Sequence, residues 1–121
     1  MNKKKVLIID DEADLLKALM VRFEAEGYEV VTAQDGIDGL NKARTLTPDV
    51  IILDLMLPKL NGFKVARFLK FDDRYKNIPI IILTARTQEE DKKLAQEIGS
   101  DLYITKPFDT NKLLKAVAKF V

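Results

Sequence analysis

No cysteine and no histidine occur anywhere in the 121 residues. Without cysteine there is no disulfide, thiolate zinc site or redox pair. Without histidine there is no Ser-His-Asp triad, no imidazole-bound metal and no phosphohistidine of the chain's own. Ser100 is the sole serine, and no Gly-x-x-x-x-Gly-Lys phosphate loop is present. Neither sign of charge dominates: 20 Lys and Arg stand against 19 Asp and Glu, a formal +1. That balance lays down no basic footprint for nucleic acid and no acidic tail. Long hydrophobic runs are missing too. Behind Lys3-Lys4-Lys5 the apolar stretch is only Val6 to Ile9 before Asp10-Asp11-Glu12 stops it. This is too short for a signal peptide or a membrane span, so a cytoplasmic location without membrane contact is expected. The chemistry that remains belongs to carboxylates, Lys, Thr and Tyr.

What is there suits one folded domain over residues 1–121. Hydrophobic residues make up 47% and charged residues 32%, enough apolar surface to build a core without staples. Three runs, Val6–Ile9, Val50–Leu53 and Ile80–Leu83, are apolar without alternation, which predicts strands covered on both faces. Tyr28–Ala33 and Leu102–Thr105 are two weaker strand candidates. Helical spacing fills the gaps. Leu15, Leu16, Leu19 and Phe23 share a face that Gly27 closes in the left-handed conformation. Asp35 can cap a second helix that turns Ile37, Leu40 and Ala43 inward. A third helix spans about Gly62 to Phe71. Thr87 and Glu90 form a capping box for a fourth, with Leu94, Ala95 and Ile98 inward and Gly99 at its end. The fifth starts near Asp109 and buries Leu113, Leu114, Val117 and Phe120. Five β-α units in succession predict an α/β fold: a doubly wound, flavodoxin-like parallel sheet of five strands flanked by five helices.

The polar residues fall at the carboxyl ends of the strands. The first run ends in Asp10-Asp11, the third in Asp54, the fourth in Thr84, and the fifth is followed by Lys106-Pro107. In strand order 2-1-3-4-5, the ends of the first and third strands adjoin at the switch point where open sheets bind ligands. Taken singly, each residue has an ordinary reading. Asp11 could cap the first helix, Asp54 a turn, and Thr84 could be a satisfied hydroxyl. Taken together they differ. Three Asp and one Lys sum to a formal −2 that a divalent cation would neutralise. An oxygen-only donor set points to Mg²⁺. A carboxylate beside Mg²⁺ and a fixed Lys is suited to attack phosphorus.

The segments Val6-Leu-Ile-Ile-Asp-Asp-Glu, Ile51-Ile-Leu-Asp-Leu-Met-Leu-Pro, Asn61-Gly, Ile82-Leu-Thr-Ala and Tyr103-Ile-Thr-Lys-Pro-Phe resemble response-regulator receiver domains of two-component signalling systems. The resemblance covers essentially the whole chain. It implies that Asp54 accepts a phosphoryl group, with Asp11, Asp54 and the Met56 backbone carbonyl holding Mg²⁺ (Mn²⁺ can substitute) and Asp10 acting mainly through water. It gives Lys106 to the phosphoryl oxygens, on a loop set by a cis bond before Pro107. Thr84 and Tyr103 become the switch pair, Thr84 turning to the phosphoryl group and Tyr103 moving inward behind it. The output is then the face of the fourth helix, fifth strand and fifth helix. The implied donor is a histidine kinase or histidine phosphotransfer protein. It would dock near Ala13, Asp14, Lys17, Ala18 and Phe108. No turnover of an external substrate is implied.

Two positions tune the expected chemistry. Met56 and Arg86, each two residues beyond a site residue, resemble the winged-helix DNA-binding branch and flank the line of attack of water. Slow dephosphorylation follows. That branch pairs charges across a dimer, but here Lys112 faces the expected place of Lys92, while Leu102 and Ala116 replace further charges. Two Lys where an ion pair is required oppose that dimer. A monomer is expected before phosphorylation, with an output domain or target protein that the residues do not specify. A haloacid-dehalogenase-type phosphatase would place a second Asp where Met56 stands. A flavodoxin-like cofactor module would have a Ser/Thr/Gly loop where Asp10-Asp11-Glu12 stands. A degenerate receiver would have lost the acceptor, the acidic pair or the Lys.

Overall fold

Each strong apolar run is a strand buried from end to end in the computed structural model, which describes residues 3–121. The chain runs β1 (Lys5–Ile9), α1 (Ala13–Ala25), β2 (Glu29–Ala33), α2 (Gly36–Leu46), β3 (Val50–Leu53), α3 (Gly62–Lys70), β4 (Ile80–Thr84), α4 (Glu89–Ile98), β5 (Leu102–Thr105) and α5 (Thr110–Ala118). The strands form one parallel sheet in the order β2-β1-β3-β4-β5. Successive side chains leave opposite faces of a strand, and this sorts the core into two clusters. Leu7, Ile9, Ile51, Leu53, Ile80 and Ile82 meet α2, α3 and α4 on one face. Val6, Ile8, Val50, Ile52, Ile81 and Leu83 meet α1 and α5 on the other. Helices on both faces account for runs without alternation.

The helix ends follow local chemistry where a small polar side chain is available. Asp35 accepts the Asp38 N–H at 2.7 Å, Asn61 the Lys64 N–H at 3.0 Å, and Asp109 the Asn111 N–H at 2.8 Å. Gly27 and Gly99 take positive φ, +92° and +108°, after α1 and α4. Three sequence expectations are corrected. Thr87 and Glu90 form no capping box: α4 begins at Glu89 behind Gln88, which makes no side-chain cap. Asp91 turns inward there and pairs with Arg86 at 3.0 Å. Asp11 does not cap α1, whose N-cap is Glu12. Ile37 lies exposed, because α2 presents Gly39, Leu40 and Ala43 to the sheet and Gly36 to the Leu60 backbone. A Cβ on Gly39 would sit 2.7 Å from the Ile9 side chain, so that glycine lets the helix lie close to the sheet with Ile37 turned outward.

One polar bracket ties α3 to the amino ends of β4 and β5. Lys70 Nζ, on a side chain only 9% exposed, donates to Ile78 O at 2.8 Å, Lys76 O at 3.1 Å and Asp101 Oδ2 at 2.9 Å. The same Asp101 oxygen accepts the Ile80 N–H at 2.8 Å. Lys70→Ala strips three acceptors at once and is expected to cost about 2 kcal/mol of stability. A urea midpoint unchanged from wild type would show the bracket to be decorative.

Candidate functional site

The carboxyl ends of β1, β3 and β4 converge on one cleft, and the loop after β5 closes it. β1 and β3 are adjacent in register, Ile9 opposite Leu53, so the next residues, Asp10 and Asp54, emerge side by side. Both are buried, Asp10 to 2% exposure and Asp54 to 5%, while Asp11 faces solvent. One oxygen from each of the three lies within 4.8 Å of the others. Asp54 Oδ1 is fixed by the Met56 N–H at 3.0 Å, and Asp10 Oδ1 by the Glu12 N–H at 2.9 Å. The second oxygen of each is left for a cation.

Lys106 supplies one. Its ammonium reaches Asp10 Oδ2 at 2.7 Å, Asp54 Oδ2 at 3.3 Å and Glu12 Oε1 at 3.3 Å. Burial pushes the Lys106 ammonium downward, but the bond to Asp10 and the charges of Asp10 and Asp54 outweigh it. The net effect holds Lys106 protonated above its ordinary range. Burial likewise raises the Asp10 carboxyl, more than Lys106 and the Glu12 N–H lower it. Desolvated carboxylates sharing one ammonium remain short of positive charge. The all-oxygen donors, with one member open to solvent, fit a hard divalent cation. The Lys106–Pro107 peptide is cis.

Thr84 is fully buried, and its hydroxyl accepts the Arg86 N–H at 3.4 Å. Tyr103 lies half-buried against the α3–α4 cluster and donates from its hydroxyl to the Arg86 carbonyl at 2.8 Å. Arg86 therefore touches Thr84, Tyr103 and, through its guanidinium, Asp91 of α4. Met56 is exposed beside Asp54. Ala13, Asp14, Lys17 and Ala18 form an exposed start to α1, and Phe108 packs partly against the α1–α5 cluster. Lys92 lies 3.8 Å from Glu89, one turn earlier on α4. Sequence reasoning missed Glu12 as a third acidic contact of Lys106 and Asp91 as the partner of Arg86. The run Asp10-Asp11-Glu12 signalled the first; nothing local signalled the second.

A family model described as the response regulator receiver domain matches residues 6–118. The chain belongs to that family. This receiver domain is 44% identical over 119 residues to the alkaline phosphatase synthesis transcriptional regulatory protein PhoP of Bacillus subtilis, covering 96% of the chain and 49% of the relative. It is 44% identical over 113 residues to the DNA-binding dual master transcriptional regulator RpaA of Synechocystis, covering 93% and 47%. The chain thus spans about half the length of the curated relatives it matches. The chemotaxis protein CheY4 of Vibrio cholerae superposes with a TM-score of 0.91 at 33% identity, over 99% of this chain and 100% of that one. Among the described residues, no helix is long and apolar enough to cross a membrane.

Proposed function

We propose that this receiver domain is a phosphorylation-activated switch whose acceptor is Asp54. The observation that carries the reading is the placement of a buried Asp54 carboxylate 3.3 Å from Lys106 within a cluster of acidic oxygens. An Asp54 oxygen attacks phosphorus, the P–N bond of a phosphohistidine breaks, and the imidazole leaves with the electron pair. The chain has no histidine, so the donor residue lies outside it, on a histidine kinase or phosphotransfer protein. Asp10, Asp11 and Asp54, with the Met56 carbonyl, would hold Mg²⁺ or Mn²⁺, which when bound neutralises charge on the phosphoryl oxygens. Lys106 steadies the charge that builds on those oxygens in the transition state. Thr84 gives up the Arg86 N–H and turns its hydroxyl to the new phosphoryl group. Tyr103, bonded to the Arg86 carbonyl, follows that loop and resets the face of α4, β5 and α5. The domain works on its own aspartate and turns over no external substrate.

Intact mass after incubation with acetyl phosphate and Mg²⁺ tests this directly. The wild type gains one phosphoryl group, and Asp54→Asn or chelation of the metal leaves none. If neither acetyl phosphate, a phosphorylated kinase nor beryllofluoride engages Asp54, the switch reading fails. The aspartyl phosphate is expected to be long-lived, since Met56 and Arg86 shield it from water. Replacing both with alanine should shorten its lifetime about fivefold, the equivalent of about 1 kcal/mol of barrier. A lifetime unchanged or longer in the double variant would remove them from that role.

A further inference from the structure

Far from Asp54, the surface carries two phenylalanines that the core does not use. Phe68 is 50% exposed and Phe71 70%, one helical turn apart on α3 and its end. Arg44, near the end of α2, stacks over Phe68 at 5.9 Å, and Arg67 over Phe71 at 5.9 Å. Together with the turn after α3 they line one open groove. The neighbouring charges are already paired: Arg74 holds Asp72 at 2.9 Å and Lys76 holds Asp73 at 3.2 Å. Arg44 and Arg67 have no carboxylate partner among the described residues. Arg44 Nε is moreover buried with no hydrogen-bond partner, and the Arg44 charge acts on Asp72 without forming an ion pair with it.

We propose that this groove binds a partner protein through an acidic amphipathic segment, apolar side chains against Phe68 and Phe71 and carboxylates on Arg44 and Arg67. Arginine and aromatic residues together are the composition of interface anchors. Planar guanidiniums, pre-set over rings, receive carboxylates in a fork with little further ordering. Nucleic acid fits less well, because the chain's formal charge is only +1, with no basic footprint to follow a phosphate backbone. A second copy fits less well too. Across a two-fold it would offer carboxylates that Arg74 and Lys76 already occupy. Both α2 and α3 run away from the carboxyl ends of the strands, so an occupant here leaves the Asp54 cleft open. The surface is a phosphorylation-independent anchor.

The test is fluorescence anisotropy with a labelled helical peptide carrying Glu beside Leu and Phe at i, i+3, i+4 spacing. A matched peptide with Gln for every Glu and a labelled single-stranded oligonucleotide serve as controls. The domain should bind the acidic peptide at least about tenfold more tightly than the Gln peptide, and less tightly as salt rises. Arg44→Glu with Arg67→Glu, and separately Phe71→Ser, should each weaken binding about tenfold, with the thermal unfolding profile retained. Four results would overturn the proposal: equal binding of both peptides, binding of neither, preference for the oligonucleotide, or a dimer in sedimentation that Phe71→Ser dissolves. A domain that bound the peptide but never took phosphate would keep this proposal and lose the switch.

Discussion

Lys106→Met should take up a phosphoryl group from acetyl phosphate about 100-fold more slowly than the wild type, the loss typical of one preorganised charge at a transition state. It should also lose about 2 kcal/mol of stability in the absence of metal, because the partner of buried carboxylates is gone. The geometry argues for both effects at once. One ammonium reaches Asp10 at 2.7 Å and Asp54 and Glu12 at 3.3 Å each. Asp10 is raised by burial, and without Lys106 its desolvated carboxylate loses its nearest compensating charge. Counting formal charge, three Asp alone give −3 where three Asp and one Lys gave −2. Mg²⁺ should therefore bind the variant more tightly and restore its stability. The rate should not return, because the lost charge faced the phosphoryl oxygens. Uptake rates with and without Lys106, measured by intact mass at saturating Mg²⁺, separate the two roles. Recovery of the full rate on adding metal would leave Lys106 only a structural counter-charge.

The features that sequence made legible share a physical origin. Strands buried on both faces must be apolar throughout, so β1, β3 and β4 announced themselves, and the polar residue that ends each run had to sit at the sheet's rim. Parallel order then placed Asp10, Asp54 and Thr84 together without any distance being known. Caps that depend on one side chain and the next turn, at Asp35 and Asp109, were legible for the same reason. The failures are tertiary. Thr87 and Glu90 have the spacing of a capping box, but α4 starts one residue later, behind Gln88, with Asp91 paired to Arg86 across the turn. Ile37 has helical spacing with Leu40, yet Gly39 takes the contact with the sheet and Gly36 packs on the Leu60 backbone. The bond from Lys70 to Asp101 joins residues 31 apart, and no local pattern marks either as its partner.

Gly62 is the position where backbone packing and the site are hardest to separate, and Gly62→Ala should cost about 3 kcal/mol while slowing uptake about tenfold or more. Asn61 caps α3, and the Gly62 N–H donates to the Leu55 carbonyl at 3.0 Å, so the helix starts hard against the end of β3. An added Cβ would overlap the Asp54 carbonyl oxygen and lie 2.6 Å from Leu55 Cα. Both are main-chain atoms, so no side-chain rotamer can relieve the clash. Relief requires moving either the first turn of α3 or the segment that aims the Asp54 carboxylate. Gly99→Ala is the informative contrast. At φ +108° it pays a left-handed strain of about 1–2 kcal/mol. Its Cβ, however, meets only the flexible Lys70 stem, at 3.7 Å, far from the cleft. Urea midpoints should fall in both variants, whereas uptake of the phosphoryl group, followed by intact mass at saturating Mg²⁺, should fall only in Gly62→Ala. Equal uptake by the two would mean that Asp54 is aimed by its own hydrogen bonds to Lys106 and the Met56 N–H, and that the tight start of α3 serves stability alone.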